Sequence, residues 1–294
     1  MKKLAKFFFY IIMTLVLIVA LVFTYARFIE PNRIVSVELA FENPHITAEN
    51  TDEITIAVFS DVHFHDRHYT PEDFENVINI INERSPDIIL FLGDLIDDYS
   101  EYYSDIRYIS EALSRLDARI GKFAVYGNHD HGGGAHRIFQ SVMEDGGFTV
   151  FINEHIRLYD YGIILIGIDD FVLGHGDISV VSEFTDENFF NIVFSHVPDV
   201  VDDILDYNVD FMIAGHSHGG QVNIGQVRTS YHRSVFFPPY ARNYVRGTYF
   251  FDNTANTVLH VNSGIGTTML PLRFMAPPEI TFITITPSGH AQNY

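Results

Sequence analysis

Residues 54–64 read ITIAVFSDVHF, and their order sets the fold. An apolar run from Ile54 to Phe59 is long enough for a strand and too short for a helix, and it has no polar alternation, which marks a strand covered on both faces. It ends on a small residue, Ser60, followed at once by Asp61 and, two residues on, by His63. Four further runs end in the same way. Ile88 to Leu92 leads to Gly93-Asp94, Phe123 to Tyr126 to Gly127-Asn128, Ile192 to Phe194 to Ser195-His196, and Phe211 to Ala214 to Gly215-His216, with His218 two residues beyond. Between them lie amphipathic segments. Thr70 and Pro71 open a helix with Phe74, Val77, Ile78 and Ile81 on one face; Ile106, Ile109, Leu113 and Leu116 form a second face, and Val201, Ile204 and Leu205 a shorter third. Strands alternating with helices predict an α/β domain.

Parallel strands align their C-terminal ends along one edge, where α/β proteins keep their ligand sites. The five endings therefore place Asp61, His63, Asp94, Asn128, His196, His216 and His218 together, the pairs 61/63 and 216/218 pointing to one side if their backbone is extended. The serines and glycines leave room for sharp turns. Taken singly, an Asp after a strand is usually a cap, and a lone His is usually a hydrogen-bonded structural residue. The ordered set of five carries the specificity. Oxygen and imidazole donors suit manganese, iron or zinc, and seven exceed one tetrahedral ion, so two divalent ions are expected. The later strand candidates 247–251, 258–261 and 280–285 lack intervening helical faces and suggest a second, more antiparallel sheet packed on the first.

Composition narrows the function. The 294 residues carry 18 Lys and Arg against 38 Asp and Glu, a formal charge of -20, which disfavours nucleic acid as a partner. There is no cysteine, which excludes disulfides, thiolate metal sites and thiol nucleophiles. From Phe7 to Ala26 no charge interrupts an apolar run of the length that spans a bilayer. Lys2, Lys3 and Lys6 precede it, so residues 1–6 form a cytoplasmic basic tail, 7–26 a single-pass anchor, 27–51 a linker with an edge-strand candidate, and 52–294 an extracytoplasmic catalytic domain. Thr24-Tyr25-Ala26 loosely resembles a cleavage site, but the apolar run is longer than a signal peptide needs.

The segments Asp61-Val62-His63, Gly93-Asp94, Gly127-Asn128-His129-Asp130, Ser195-His196 and Gly215-His216-Ser217-His218 resemble the five signature blocks of the calcineurin-like metallophosphoesterases, over roughly residues 54 to 285. Gly219-Gly220-Gln221, Tyr244 with Gly247, and the stretches 271–274 and 278–280 are similar to a bacterial membrane-associated subgroup that includes pyrophosphatases acting on UDP-diacylglucosamine. The resemblance implies a four-layer αββα sandwich of two mixed sheets. It also implies one ion on Asp61, His63 and His218 and a second on Asn128, His196 and His216, with Asp94 shared. His129 is then the general acid or charge stabiliser, with Asp130 behind it. Two ions about 3.5–4 Å apart acidify a water and clamp the phosphate oxygens.

The expected function is hydrolysis of a phosphodiester or pyrophosphate on a phosphorylated small molecule, a lipid-linked phosphate or another cell-envelope substrate. The alternatives are a broad phosphomonoesterase and a tethered metal-binding module without turnover. Arg228, Arg233, Arg242, Arg246 and Arg273 are candidate phosphate clamps. His65, Asp66, His68 and His131 are expected to be solvated loop residues, His65 and His131 standing where the family has glycine and an aromatic residue.

Overall fold

The computed structural model describes residues 2–45, 53–223 and 238–288; Arg228 and Arg233 lie outside them. The chain begins with α1 (Lys2–Thr24), whose side chains are exposed throughout and which is long and apolar enough to cross a membrane. The body alternates strands and helices: β1 (Val35–Asn43), β2 (Ile54–Phe59), α2 (Glu75–Glu83), β3 (Ile88–Phe91), α3 (Arg107–Ser114), β4 (Gly121–Val125), α4 (Asn128–His131), α5 (Phe139–Asp145), β5 (Phe148–Phe151), β6 (Glu154–Leu158), β7 (Ile163–Ile168), α6 (Ser179–Phe184), β8 (Phe190–Ser195), α7 (Val201–Ile204), β9 (Phe211–Ala214), β10 (Gly247–Phe250), β11 (Val258–Val261) and β12 (Glu279–Pro287).

The strands form two six-stranded sheets, ordered β1-β12-β2-β3-β4-β5 and β10-β11-β9-β8-β7-β6. In the first, β2 to β5 run parallel and β12 is antiparallel to β2; in the second, β7, β8, β9 and β11 run parallel, with β6 and β10 as antiparallel edges. Three of the five ligand-bearing runs therefore lie in the first sheet and two in the second, not along a single edge. The second sheet is mainly parallel, contrary to expectation, and 280–285 belongs to the first sheet as part of β12.

Period-two geometry explains why the runs are apolar without alternation. Along β2, Ile54, Ile56 and Val58 face the other sheet, packing with Ile192, Phe194 and Ile213, while Ala57 and Phe59 face the helices with Val77, Ile81 and Ile109. A third core packs Val193, Met212 and Val261 under α6 and α7. Helices, two sheets and helices make the four layers of an αββα sandwich. The first amphipathic helix starts later than Pro71. The Thr70 N–H and hydroxyl both donate to Asp73, at 2.8 and 3.0 Å, and residues 71–74 are spent on that turn before α2 begins at Glu75. The edge-strand candidate beyond Pro31 is β1, paired in parallel with β12 from Val35↔Glu279 to Asn43↔Pro287.

Candidate metal centre

The ends of β2, β3, β4, β8 and β9 meet across the seam between the sheets, and the residues beyond them do not continue as extended chain. Asp61, His63, Asp94, His216 and His218 take φ values of 50, 48, 61, 69 and 51°. Non-glycine residues take this left-handed region uncommonly, Asp and His more readily than most, so five in one site mark turns held by their surroundings. The 61/63 and 216/218 pairs converge through these tight turns rather than through extended backbone. Close approach explains the preceding glycine in two blocks. A Cβ on Gly93, φ +95°, would strike the Gly127 backbone, and one on Gly127 would strike the Asp94 carboxylate.

All seven expected ligands come together in two clusters. In the first, His218 Nε2 lies 3.1 Å from His63 Nε2 and 3.5 Å from Asp61 Oδ1. In the second, His196 Nε2 lies 3.0 Å from His216 Nδ1 and 3.2 Å from Asn128 Oδ1. Asp94 Oδ2 stands between them, 3.4 Å from His63 Nε2 and 3.3 Å from His196 Nε2. Asp61, His63, Asp94, His196, His216 and His218 are buried, and Asn128 is half-buried.

Three imidazoles have their outward nitrogen engaged. His196 Nδ1–H donates to the Leu92 carbonyl at 2.8 Å, His216 Nε2–H to the Pro239 carbonyl at 2.8 Å, and His63 Nδ1–H to Asp97 Oδ1 at 3.1 Å. Each inward nitrogen is thereby the one turned to the cluster, where a cation would take its lone pair, the arrangement that outer partners impose on metal-binding histidines. The interior is then lined by imidazole nitrogens and carboxylate oxygens, with few protons to share among them. Bonds of about 2.1 Å to a cation place neighbouring ligand atoms about 3.0 Å apart in an octahedron and about 3.4 Å apart in a tetrahedron. The observed separations, 3.0 to 3.5 Å, match that range to within 0.1 Å, so the donor set fits divalent cations.

Electrostatics agree. Burial would raise Asp94, but His196, His129 and His63 outweigh it and hold the carboxyl well below its usual range. Burial lowers His196, yet Asp94 and Asp61 lift it to about 10, so ion uptake there displaces a proton. Burial and the neighbouring His196 press His216 down to about 3, and burial with His63 keeps His218 low, leaving both neutral.

His129 sits at the mouth, about a third exposed. Its N–H donates to Asp94 Oδ1 at 2.8 Å and its Nδ1–H to the Asp97 carbonyl, which leaves Nε2 as the unbonded nitrogen. Its ring packs edge-on against His63 with centroids 4.6 Å apart. Asp130 is buried behind it and accepts the N–H groups of Asp94, Leu95 and Gly127 at 2.7, 2.9 and 2.8 Å, tying the β3 and β4 turns together.

Two residues were not found from sequence. Asp97 orients His63 through its carboxylate and His129 through its carbonyl, and it accepts from the Thr268 hydroxyl at 2.8 Å. In a loop reading Asp97-Asp98 nothing local distinguishes it. Asp169 pairs with His131 at 2.7 Å, and the His131 ring stacks on Tyr126, so His131 is a fixed wall residue rather than a solvated one. Asp66 accepts from Tyr103 and Ser104, while His65 stacks on His68. Arg273 is no phosphate clamp. It is fully buried, and its guanidinium is spent on the carbonyls of Gly266, Ser263, Ala276 and His218.

A sandwich that gathers acidic and imidazole donors into adjoining cation cages at its strand ends is the framework of a metal-dependent phosphoesterase. The chain belongs to the calcineurin-like phosphoesterase family, whose model matches residues 54–220. It is 38% identical to the metallophosphoesterase YkuE of Bacillus subtilis over 89% of this chain and 88% of that protein. It is 27% identical to the phosphodiesterase YaeI of Escherichia coli over 90% and 92% respectively. A crystal structure of a dimetal phosphatase from Danio rerio aligns with 72% of this chain and 88% of its own, at a TM-score of 0.47 and 12% identity.

Proposed function

We propose that the chain hydrolyses a phosphodiester or pyrophosphate with two divalent ions, one held by Asp61, His63 and His218, the other by Asn128, His196 and His216, with Asp94 shared. The observation that carries this reading is the position of Asp94 Oδ2, within 3.4 Å of one nitrogen from each cluster. Bound ions of this kind supply an activated water and a clamp on the phosphate oxygens. The protein's own groups do the rest. Asp94 and Asp61 balance the cations' charge, and the outer bonds from Leu92, Pro239 and Asp97 keep the imidazoles in their binding tautomers. His129, fixed through Nδ1, presents Nε2 to the leaving oxygen and gives it a proton, while Asp130 holds the loop rigid.

The substrate is assigned to the envelope side of a membrane. Two features support this: α1 is long and apolar enough to anchor the chain, and the flanking Lys2, Lys3 and Lys6 favour a cytoplasmic N-terminus. The similarity to a phosphodiesterase favours a diester over a monoester. The test is hydrolysis of bis(p-nitrophenyl) phosphate and of p-nitrophenyl phosphate by the full chain with manganese added. Faster cleavage of the diester is expected. Cleavage of the monoester alone would assign the site to a phosphomonoesterase, and cleavage of neither of these, nor of a nucleoside diphosphate sugar as the pyrophosphate probe, would refute the reading.

A further inference from the structure

Beyond Thr24, α1 continues as a π turn over Tyr25–Ile29 and a 3-10 turn over Glu30–Asn32, and these turns are docked on residues 273–276. The Arg273 N–H donates to the Ala26 carbonyl at 2.9 Å, and the Ala276 N–H donates to Glu30 Oε1 at 2.6 Å. The Tyr25 ring meets Phe274 edge-on at 6.4 Å. With a rise of 1.5 Å per residue, Glu30 lies within about 9 Å of Thr24 along the axis. Residues 273–276 therefore share the membrane level at which the apolar helix ends.

The same loop points large apolar side chains outward. Met269 is 93% exposed, Leu270 60% and Met275 54%, with Phe28, Ile29 and Val222 exposed beside them. Met269 and Met275 sit at φ 60 and 58°, a conformation that bulky side chains rarely take unless their surroundings enforce it. Here the surroundings do. Gln221 Nε2–H₂ donates to the carbonyls of Thr268 and Leu270 at 3.1 and 2.9 Å, and buried Arg273 gathers the carbonyls behind them. The loop is also continuous with the metal centre. The Thr268 hydroxyl donates to the Asp97 oxygen that orients His63, and Asn223 N–H donates to the Phe274 carbonyl at 2.8 Å.

We infer that residues 268–276, with Phe28, Ile29 and Val222, form a lip that inserts into the headgroup and upper acyl layer of the bilayer crossed by α1, so that the metal centre opens onto the headgroup layer. Exposed apolar tips flanked by cations are what an interfacial element requires. Arg27 follows the helix, and Arg246 donates to the Met275 carbonyl at 2.6 Å, which puts guanidinium groups at the level of anionic headgroups although the whole chain carries -20. The substrate class is accordingly the phosphate of an amphiphile presented in the membrane plane, an assignment that rests on the proposed phosphoesterase reading.

Because the chain has no cysteine, single probes are simple to introduce. Full-length Leu270→Cys, Met275→Cys and Tyr159→Cys, labelled with nitrobenzoxadiazole, are reconstituted in phosphatidylcholine/phosphatidylglycerol vesicles containing doxyl-labelled acyl chains. Tyr159 is exposed just before β7, at the end of the second sheet opposite the metal centre. Quenching at 270 and 275 roughly threefold or more above that at 159 supports the lip. Equal quenching at all three overturns it. In a second arm, the Met269→Asp/Leu270→Asp variant is compared with wild type on bis(p-nitrophenyl) phosphate and on vesicle-borne phosphatidyl-p-nitrophenol. A loss of about tenfold or more on the vesicle substrate alone is expected; equal rates on both, or equal loss on both, contradict it. Should wild type cleave neither compound, the phosphoesterase reading fails while the quenching arm still decides the lip.

Discussion

The two sheets contribute different chemistry to one site. The first sheet supplies Asp61, His63, Asp94 and Asn128, and behind them His129, Asp130 and Asp97; the second supplies only imidazoles, His196, His216 and His218. The carboxylates therefore belong to one half of the sandwich, and the other half offers imidazoles, of which His216 and His218 are held neutral while His196 keeps a proton until a cation displaces it. Neither half holds a complete cage. Cations bound as proposed would fasten the sheets to each other, which would couple catalysis and stability at the same atoms.

Breaking the charged side should do the most damage. Asp94→Asn replaces a carboxylate oxygen between the cages with an amide and removes its charge, and diester turnover is expected to fall on the order of 10⁴-fold, measured with saturating manganese. His129→Ala removes a proton donor but no cage atom, so kcat should drop about 10²- to 10⁴-fold. Metal content measured on the same sample should be unchanged. Asp97→Asn loosens His63 through an outer contact, and a loss of about 10- to 100-fold in metal affinity or rate is expected. The His63 contact makes that loss sharpest for the cluster containing Asp61 and His218.

The coupling to stability is smaller and has a different readout. Manganese at about 100 times its dissociation constant should add about 2.7 kcal/mol for each site it fills, and chelation should lower the melting temperature by several degrees. Loss of this shift in His196→Ala would show that the second sheet is fastened through its imidazoles. The least effect is expected where the sheets touch without metal. Glu279 is buried, which would raise its carboxyl, but His260, Thr281 and Ser263 hold it below its ordinary 4.5. A depressed folded pKa contributes stability that is complete above the ordinary glutamate range and is lost as pH falls through the lower folded value. Glu279→Gln should therefore flatten the fall in melting temperature below about pH 4.5.

The same contrast explains what the sequence made legible. Each ligand block is local: an apolar run, one small residue and a donor, visible because a strand buried on both faces forces the run and the turn forces the small residue. The sorting of the five runs between two sheets is not local, since Ile54–Phe59 and Phe190–Ser195 have the same character and only their hydrogen-bonded neighbours differ. Strand β7, IILIGI, is as apolar as β2 but ends in Asp169-Asp170 without the small-residue signature, and it was not recognised. Nor did spacing reveal the left-handed turns at Asp61 and His216, which arise from the packing of one strand end against another. Asp97 acts through a loop that meets Thr268 from the far end of the chain, a contact no short motif encodes.

The most direct test is the metal stoichiometry of the full-length protein, determined by inductively coupled plasma mass spectrometry after equilibration with manganese and desalting, in parallel for wild type and Asp94→Asn. Two ions per chain in wild type, reduced in the variant together with turnover, is the expected result. Saturation of wild type at a single ion, or a variant that keeps both ions and full diester hydrolysis, would contradict a centre shared between the sheets.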